Sequence, residues 1–141
     1  MSQKKENTAL FIDGENISCK KVNAIMDAVK QQGVLFSGRV YGLQKDNRTR
    51  RWSDKAREHG IADIRLFGGP EKNKVDRKIQ KDVKREITLH KNIDIVCVAT
   101  SDKGYAGIIL ELRARGKKVV GIGESKATDQ LRNACSVFIE I

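Results

Sequence analysis

Two aspartates of this chain stand just beyond apolar runs. Asp13 directly follows the run Leu10–Ile12, and Asp102 lies three residues after the run Val96–Ala99. In a doubly wound sheet with strand order 3-2-1-4-5, these runs are neighbouring strands, and both acids lie at its carboxyl edge within a few ångströms of the ~4.8 Å strand spacing. Two carboxylates that close repel one another unless a cation lies between them. The pair therefore predicts a cation-binding crevice.

The turn after Asp13 is polar and opens a predicted helix. Gly14 and Glu15 lead to Asn16, and carboxylate and amide oxygens at the start of a helix suit a divalent cation or a nearby phosphate site. A structural interpretation fits these residue types equally well, since Asp13 would then form the turn while Asn16 or Ser18 caps the helix. The residues alone leave both interpretations open.

A third aspartate begins a predicted helix whose apolar residues recur every four positions. The stripe predicts packing on the sheet and consists of Val75, Ile79, Val83 and Ile87. At ~100° per residue, Asp76 lies within ~20° of Val83 on the sheet side, whereas Asp82 is rotated by ~120° and lies ~9 Å further along the axis. Both cannot hold one ion, so we expect Asp82 to pair with Lys78 or with a neighbour of Glu86 on the solvated face. Asp76 suits a metal site and equally an ordinary first helical turn, where the dipole favours a carboxylate.

The basic residues of this segment outnumber its acids. They are Lys72, Lys74, Arg77, Lys78, Lys81, Lys84 and Arg85. A solvated helix face would explain them. In a chain with a formal net charge of +10, their excess favours a track that binds the phosphate backbone of a nucleic acid.

Short apolar runs alternate with amphipathic stretches along the chain. The runs predict strands over Ala9–Asp13, Leu35–Tyr41, Ala62–Phe67, Ile93–Ala99, Lys118–Ile122 and Val137–Ile141. Helices are predicted over Lys20–Gln32, Thr49–His59, Val75–His90, Tyr105–Arg115 and Ala127–Ala134. Gly33, Gly60 and Gly116 stand where C′ glycines would end three of them. This alternation predicts a single α/β domain over residues 1–141, in which a central parallel sheet of about five to six strands lies between helices on both faces.

Composition excludes several classes of protein. Of the 141 residues, 39% are hydrophobic and one is proline, so we expect a single folded unit rather than a disordered tail. No apolar run approaches the ~20 residues of a membrane span, so no membrane contact is expected. Cys19, Cys97 and Cys135 form no CxxC pair, which disfavours a disulfide framework or zinc site and fits a cytoplasmic protein. The sequence leaves the oligomeric state open, a homo-oligomer included.

Other motifs carry less weight. The chain has no P-loop, and a glycine pair after the fifth predicted strand lacks the third glycine of a dinucleotide fingerprint. His59 and His90 fall at predicted helix ends, where the helix dipole favours them. Aromatic residues make up 5% of the chain, which disfavours a stacking platform for RNA. Trp52 is predicted to pack its helix, with surface contact to RNA beside Arg48–Arg51 as the alternative.

Four blocks, in order, resemble the NYN family, PIN-like ribonuclease domains of the limkain type, along nearly the whole chain. They are Phe11–Asn16, Lys74–Asp76 with Asp82, Thr100–Tyr105 at the family's SGDSDF block, and the tail Ser125–Ile141. Two positions depart from the family pattern. Gly104 replaces the second aspartate of the SGDSDF block, and Ser136 stands where the closing segment usually has an aspartate.

The resemblance implies a PIN-like fold with a metal-dependent phosphodiesterase centre. It assigns catalysis and the binding of Mg²⁺ or Mn²⁺ to Asp13, Asp76 and Asp102. Supporting roles are expected for Asn16, Asp82, Thr100 and Ser101, the last two as hydrogen-bond donors to the scissile phosphate. Each departure removes an acid, which favours one metal ion held by three carboxylates and water over a two-metal site.

The expected function is that of a metal-dependent nuclease, a hydrolase that cleaves RNA, most simply an endoribonuclease acting on single strands. The alternative is a catalytically impaired PIN-like module that binds RNA without cleaving it, because of Gly104 and Ser136. Both functions have RNA as the partner. They differ in whether the acidic crevice binds a metal ion.

Overall fold

Six parallel strands form the centre of the molecule. In the computed structural model, which describes residues 5–68 and 73–141 and only the backbone of residues 48 and 49, they are β1 (Asn7–Asp13), β2 (Val34–Leu43), β3 (Ala62–Leu66), β4 (Ile93–Ala99), β5 (Lys118–Gly123) and β6 (Val137–Glu140). They pair in the order β3-β2-β1-β4-β5-β6, with every pair parallel. The predicted strands, their parallel arrangement and their order are confirmed.

Helices cover both faces of the sheet. They are α1 (Val22–Gln32), α2 (Asn47–Arg50), α3 (Trp52–His59), α4 (Lys74–Leu89), α5 (Ala106–Ala114) and α6 (Asp129–Ala134), and short 3-10 turns at Cys19–Lys21 and Lys103–Tyr105 precede α1 and α5. Helices α1 and α3 share one apolar cluster with the sheet, and α4, α5 and α6 share the other. The helix predicted over Thr49–His59 is instead two helices divided at Arg51, whose backbone keeps helical angles (φ −65°, ψ −20°).

The sheet is buried on both sides, as a parallel sheet requires. Leu10 and Ile12 of β1 belong to the cluster with α1 and α3, whereas Ala9 and Phe11 belong to the cluster under α4. The predicted apolar stripe of α4 is buried against this second face. Successive side chains of a strand alternate between faces, so Asp13, two residues after Phe11, lies on the α4 side of the sheet.

The strand order determines where a ligand site forms. The chain adds β2 and β3 on one side of β1 and then β4, β5 and β6 on the other, so the strand order reverses between β1 and β4. A crevice opens at the carboxyl ends of such neighbouring strands. Asp13 is the last residue of β1, and Asp102 follows the end of β4.

The predicted helix-ending glycines do not all act in the same way. Gly60 and Gly116 adopt left-handed angles (φ 67° and 87°), as expected for C′ glycines. Gly33 is extended (φ 175°) instead. A side chain there would place its Cβ 2.4 Å from the carbonyl oxygen of Glu6, so close backbone approach is what requires this glycine.

The remaining predictions concern the burial of the cysteines and of Trp52, and the length of apolar helices. Cys97 and Cys135 are buried and Cys19 is half-buried, all as free thiols, which agrees with their prediction as small residues in or near the core. Trp52 is buried in the α1 side of the core, as predicted. None of the described helices is long and apolar enough to cross a membrane.

Candidate active site

Three aspartates line one cleft at the carboxyl edge of the sheet. Asp13 ends β1, Asp76 lies in the first turn of α4, and Asp102 follows β4. Lys74 and Asn16 line the same cleft, whose volume is about 260 Å³. The fold thus brings together the three acids that the sequence singled out, from three separate segments of the chain.

Asp13 is the most deeply placed of these acids, with 5% of its surface exposed. Its carboxylate accepts hydrogen bonds from the Tyr105 hydroxyl (3.0 Å) and from the backbone N–H of Glu15 (3.2 Å). The pKa of Asp13 is raised to about 6, chiefly by burial; the two hydrogen bonds lower it, and the charges of Asp102 and Asp76 raise it. A buried acid facing like charges is typical of a functional site.

Asp76 has a buried oxygen with nothing to satisfy it. Its Oδ1 accepts no hydrogen bond from any described residue. Burial and the charge of Asp102 raise the pKa of Asp76, while the N–H and the charge of Arg77 lower it. Helix α4 begins after Asn73 without a side-chain cap. A carboxylate that served only to start the helix would leave Oδ1 unexplained, because buried polar atoms in proteins are normally paired.

Asp102 is fixed by its own loop. Its Oδ1 accepts a hydrogen bond from the backbone N–H of Gly104 (2.9 Å), which caps the 3-10 turn before α5. Its backbone N–H donates to the hydroxyl of Thr100 (3.2 Å). These two bonds hold the Asp102 side chain over the end of β4.

Asn16 and Ser101 join this loop to its neighbours. Asn16 Oδ1 accepts a hydrogen bond from the backbone N–H of Ser101 (2.7 Å), and the Ser101 hydroxyl accepts one from the N–H of Glu124 (2.8 Å). The loops after β1, β4 and β5 are thereby tied together. Thr100 and Ser101 are both buried, so in this conformation they position the loop, and their predicted contact with a phosphate stays a prediction.

The chemistry of the cleft suits a hard divalent cation. Mg²⁺ and Mn²⁺ prefer carboxylate oxygens and use few protein ligands besides water. Asp13, Asp76 and Asp102 supply such oxygens, and the unpaired Oδ1 of Asp76 is the kind of atom that a cation would satisfy. In the part of the chain that the structure describes, no three His, Cys, Asp or Glu side chains already stand in a metal-holding arrangement.

The two departures from the family pattern lie in different places. A side chain built on Gly104 would put its Cβ 3.4 Å from Oδ1 of Asp102, so this position borders the cleft. Ser136 instead exchanges hydrogen bonds with Val119 near the start of β5, at the amino edge of the sheet. The expectation that Ser136 removes a metal ligand or supporting acid is therefore wrong, because this residue lies at the opposite edge from the cleft.

Asp82 pairs with Lys78 as expected (3.0 Å), but it is not on the solvated face. It is 2% exposed and its side chain lies between α4 and the sheet. There it forms an ion pair with Arg39 of β2 and accepts a hydrogen bond from the Tyr41 hydroxyl (2.8 Å). Arg85 also pairs with Asp82 (3.3 Å), and Glu86 pairs with Arg39. We call this group the ionic network; its members are Arg39, Tyr41, Lys78, Asp82, Arg85 and Glu86. Asp82 thus belongs to the network and not to the cleft.

Several cations of α4 have partners within the protein. Lys78 and Arg85 pair with Asp82, and Lys84 pairs with Glu111 (3.3 Å). The other members of the predicted basic track are Lys74, Arg77 and Lys81, and Lys72 lies outside the described residues. Ion pairs reduce the charge that this helix presents to a phosphate chain, so a track along α4 stays a prediction.

Sequence reasoning overlooked two features of the site. The Tyr105 hydroxyl holds Asp13, although a tyrosine after a predicted site loop could have suggested a buried donor. Arg39 was not singled out either, yet a charged residue inside the apolar run Leu35–Tyr41 signals a buried partner.

Comparison with known proteins establishes the family and the fold. The model of the NYN domain family matches residues 7–141. An uncharacterized protein of Methanocaldococcus jannaschii is 31% identical over 141 residues, covering 94% of this chain and 54% of that protein, so the chain spans about half the length of this relative. A crystal structure of a protein of unknown function from Vibrio parahaemolyticus shares the fold, with a TM-score of 0.81 and 20% identity over 100% of this chain and 96% of that one. This chain belongs to the NYN domain family, whose domains have a PIN-like nuclease fold and are generally metal-dependent ribonucleases.

Proposed function

We propose that this protein is a metal-dependent endoribonuclease that hydrolyses phosphodiester bonds of single-stranded RNA in the cleft of Asp13, Asp76 and Asp102. The observation that supports it is an excess of negative charge among the described residues of the cleft, where Lys74 faces three aspartates and Glu15. Asp13 is buried with its pKa raised to about 6, and a buried oxygen of the neighbouring Asp76 accepts no hydrogen bond from a described residue. Such a cluster is unfavourable by itself and becomes favourable when a divalent cation binds.

In this proposal the three carboxylates hold one Mg²⁺ or Mn²⁺. Bound there, the ion would lower the pKa of a water molecule and offset the charge that develops on the phosphate. The protein's own part is to fix the ligands. Tyr105 and the Glu15 N–H orient the carboxylate of Asp13, and the Gly104 N–H orients that of Asp102.

Lys74 supplies positive charge within the cleft. Its ammonium group donates a hydrogen bond to the carbonyl of Phe67, which fixes it beside α4. A lysine here would contact a phosphate oxygen of the substrate and offset part of the repulsion between the polyanion and the acids. We assign it to substrate binding.

The second candidate function is RNA binding without cleavage. The observation that favours it is Gly104, since a side chain at this position would border Asp102 and the chain has none. An acid missing there would weaken metal binding or catalysis while leaving the fold intact. The two functions are separated by whether Mn²⁺ binds in the cleft and whether RNA is cut.

Cleavage of a fluorescent single-stranded RNA by the purified protein tests the proposal. We expect cleavage with Mn²⁺, none with excess chelator, and none by Asp13→Asn. The control is Asp54→Asn, the same change at an exposed residue of α3 that pairs only loosely with Arg57 (3.8 Å). Equal cleavage by the wild type and Asp13→Asn would show that the activity comes from a contaminant, and binding without cleavage would favour the second function.

A further inference from the structure

A second groove adjoins the cleft on the other side of the turn that follows Asp13. Glu15 and Asn16 line both the cleft and this groove, so the two are adjacent. The groove has a volume of about 360 Å³, and Lys20 and Arg51 contribute its positive charges. A strand that leaves the cleft across this turn would reach the groove.

The wall between cleft and groove is held in place by hydrogen bonds. The Trp52 indole N–H donates to the carbonyl of Ile17 (2.9 Å), and the N–H of Gly14 donates to the carbonyl of Tyr41 (2.9 Å). A Cβ on Gly14 would stand 2.6 Å from that Tyr41 oxygen, so the backbone approaches β2 as closely as a glycine allows. Because Trp52 is anchored here, the preceding Arg51 is placed beside the groove.

Lys20 and Arg51 differ from Lys78, Lys84 and Arg85 of α4 in having, among the described residues, no carboxylate that offsets their charge. Both are exposed, and across the described ranges neither side chain forms an ion pair, whereas Lys78 and Lys84 are both paired. A free cation attracts a phosphate more strongly than one whose charge is already offset by a carboxylate.

Two acids also line the groove. Glu15 directs Oε1 to the backbone N–H of Leu43 (2.9 Å), on the β2 side of the turn. The backbone N–H of Glu124 donates a hydrogen bond to the hydroxyl of Ser101, which places Glu124 beside the loop after β4. Phosphates are therefore expected against Lys20 and Arg51 and away from these two carboxylates.

We propose that the second groove binds the sugar-phosphate backbone of single-stranded RNA next to the bond being cut, with Lys20 and Arg51 contacting phosphates. This inference rests on the proposed function, since it concerns the substrate of the same site. An acidic cleft repels a polyanion, so neighbouring cations have to supply the attraction that brings the strand in. The groove supplies such cations beside the cleft, whereas Lys78, Lys84 and Arg85 of α4 are held in ion pairs.

Binding of fluorescent oligouridine, followed by anisotropy at several salt concentrations with chelator present, tests the groove. Each phosphate contact on a single strand contributes about 0.7 to the slope of log affinity against log salt. In Lys20→Ala/Arg51→Ala we expect the slope to fall by about 1.4 and the affinity to fall roughly tenfold or more. With Mn²⁺ present, KM for cleavage should rise while kcat and the Mn²⁺ affinity stay at their wild-type values.

Two double variants remove the same charge elsewhere. Lys5→Ala/Lys30→Ala acts at a different groove beside the start of β2 and should keep the wild-type slope. Lys81→Ala/Lys84→Ala acts on α4, the rival track. A slope that falls in the α4 variant but not in the groove variant would overturn the proposal, as would an equal fall in all three. If the salt slope falls only in Lys20→Ala/Arg51→Ala but the wild type cuts no RNA, the nuclease proposal fails and the proposed binding surface stands. If the wild type binds no oligouridine, both proposals fail.

Discussion

Helix α4 contributes one aspartate to each of two groups of acids, and the two groups are balanced differently. Asp82 lies in the ionic network, where Arg39, Lys78 and Arg85 surround it within 3.6 Å. Asp76 lies in the cleft with Asp13 and Asp102, and its buried Oδ1 accepts no hydrogen bond from a described residue. The buried Oδ1 of Asp82 accepts none either, but it has ion pairs with Lys78 and Arg85. One group is neutralised by the protein itself, and the other is left with excess negative charge.

This difference separates acids that hold the fold from acids that are free to bind a ligand. A buried carboxylate that is already paired with cations gains little from binding a further cation. Clustered carboxylates with few such ion pairs lower the stability of the fold, and clusters of this kind are concentrated at functional sites. The two groups differ in direct ion pairs: three cations pair with Asp82, whereas Lys74 alone among the described cations lines the cleft with the other three aspartates.

The largest effect is expected from removing the cation that the network shares. Arg39 contacts both Asp82 and Glu86, so Arg39→Met would leave two buried carboxylates short of a partner and should lower the free energy of unfolding by about 3 kcal/mol. Urea unfolding followed by circular dichroism measures it. Arg57→Met, at an exposed ion pair, is the control and should change stability by less than about 0.5 kcal/mol. Equal effects of the two variants would contradict a structural role for the network.

In the cleft, removing a charge is expected to raise the free energy of unfolding rather than lower it. The pKa of Asp13 rises from its ordinary 3.8 to about 6 in the folded protein, so the folded state keeps its proton to higher pH than the unfolded state. Stability therefore falls as pH rises from about 4 to about 6, and the full penalty applies above that range. At pH 7.5 without metal, Asp13→Asn should stabilise the protein by about 2 kcal/mol and flatten this pH dependence.

Thermal unfolding across this pH range, with chelator present, measures the cleft prediction. Asp54→Asn removes an exposed carboxylate and should follow the wild-type curve. The prediction is contradicted if Asp13→Asn is less stable than the wild type. It is also contradicted if the wild type gains stability relative to Asp13→Asn between pH 4 and 6, because the negative charge of Asp13 would then be balanced within the folded protein.

Two buried tyrosines give a matched test of the same contrast. Tyr41 donates to Asp82 (2.8 Å) and Tyr105 donates to Asp13 (3.0 Å). Either tyrosine-to-phenylalanine change removes one hydrogen bond and should cost about 1 kcal/mol of stability. Only Tyr105→Phe should also weaken Mn²⁺ binding, by about tenfold, because it frees a carboxylate that holds the ion. Calorimetric titration with Mn²⁺ measures this, and equal Mn²⁺ affinities in the two variants would count against the assignment.

The smallest effect on stability is expected at Gly104. Its N–H donates to Asp102, and a Cβ there would lie 3.4 Å from that carboxylate. Gly104→Asp should lower stability without metal by about 0.5 kcal/mol through like-charge repulsion and should tighten Mn²⁺ binding. Gly104→Asn, similar in shape but uncharged, should do neither. If both variants change Mn²⁺ affinity alike, the effect is steric and Gly104 does not account for a missing ligand.

The strands and the cleft could be predicted because their signals are local. Near-continuous apolar runs define buried parallel strands, and the carboxyl ends of such strands meet at one edge whatever the details of packing. Asp13 and Asp102 follow from that rule. The apolar stripe turns Asp76 toward the sheet but leaves its role open, and the resemblance to the NYN family assigns it to the site.

The rest depends on contacts between distant segments. The burial of Asp82 requires Arg39, which lies on a strand more than forty residues earlier, and helical periodicity on α4 alone assigns Asp82 to solvent. Ser136 aligns with a family acid along the chain, but hydrogen bonds to Val119 show that it lies at the other edge of the sheet. A motif gives order along the sequence and not position in space.

The most direct test of the account is Mn²⁺ affinity, measured by calorimetry on folded wild-type protein and four aspartate-to-asparagine variants. We predict that the wild type binds Mn²⁺, that the changes at Asp13, Asp76 and Asp102 each weaken binding at least tenfold, and that Asp82→Asn keeps the wild-type affinity. Circular dichroism confirms that each variant is folded at the temperature used. An Mn²⁺ affinity that is the same in all five proteins, or a loss confined to Asp82→Asn, would contradict the assignment of the cleft as the metal site.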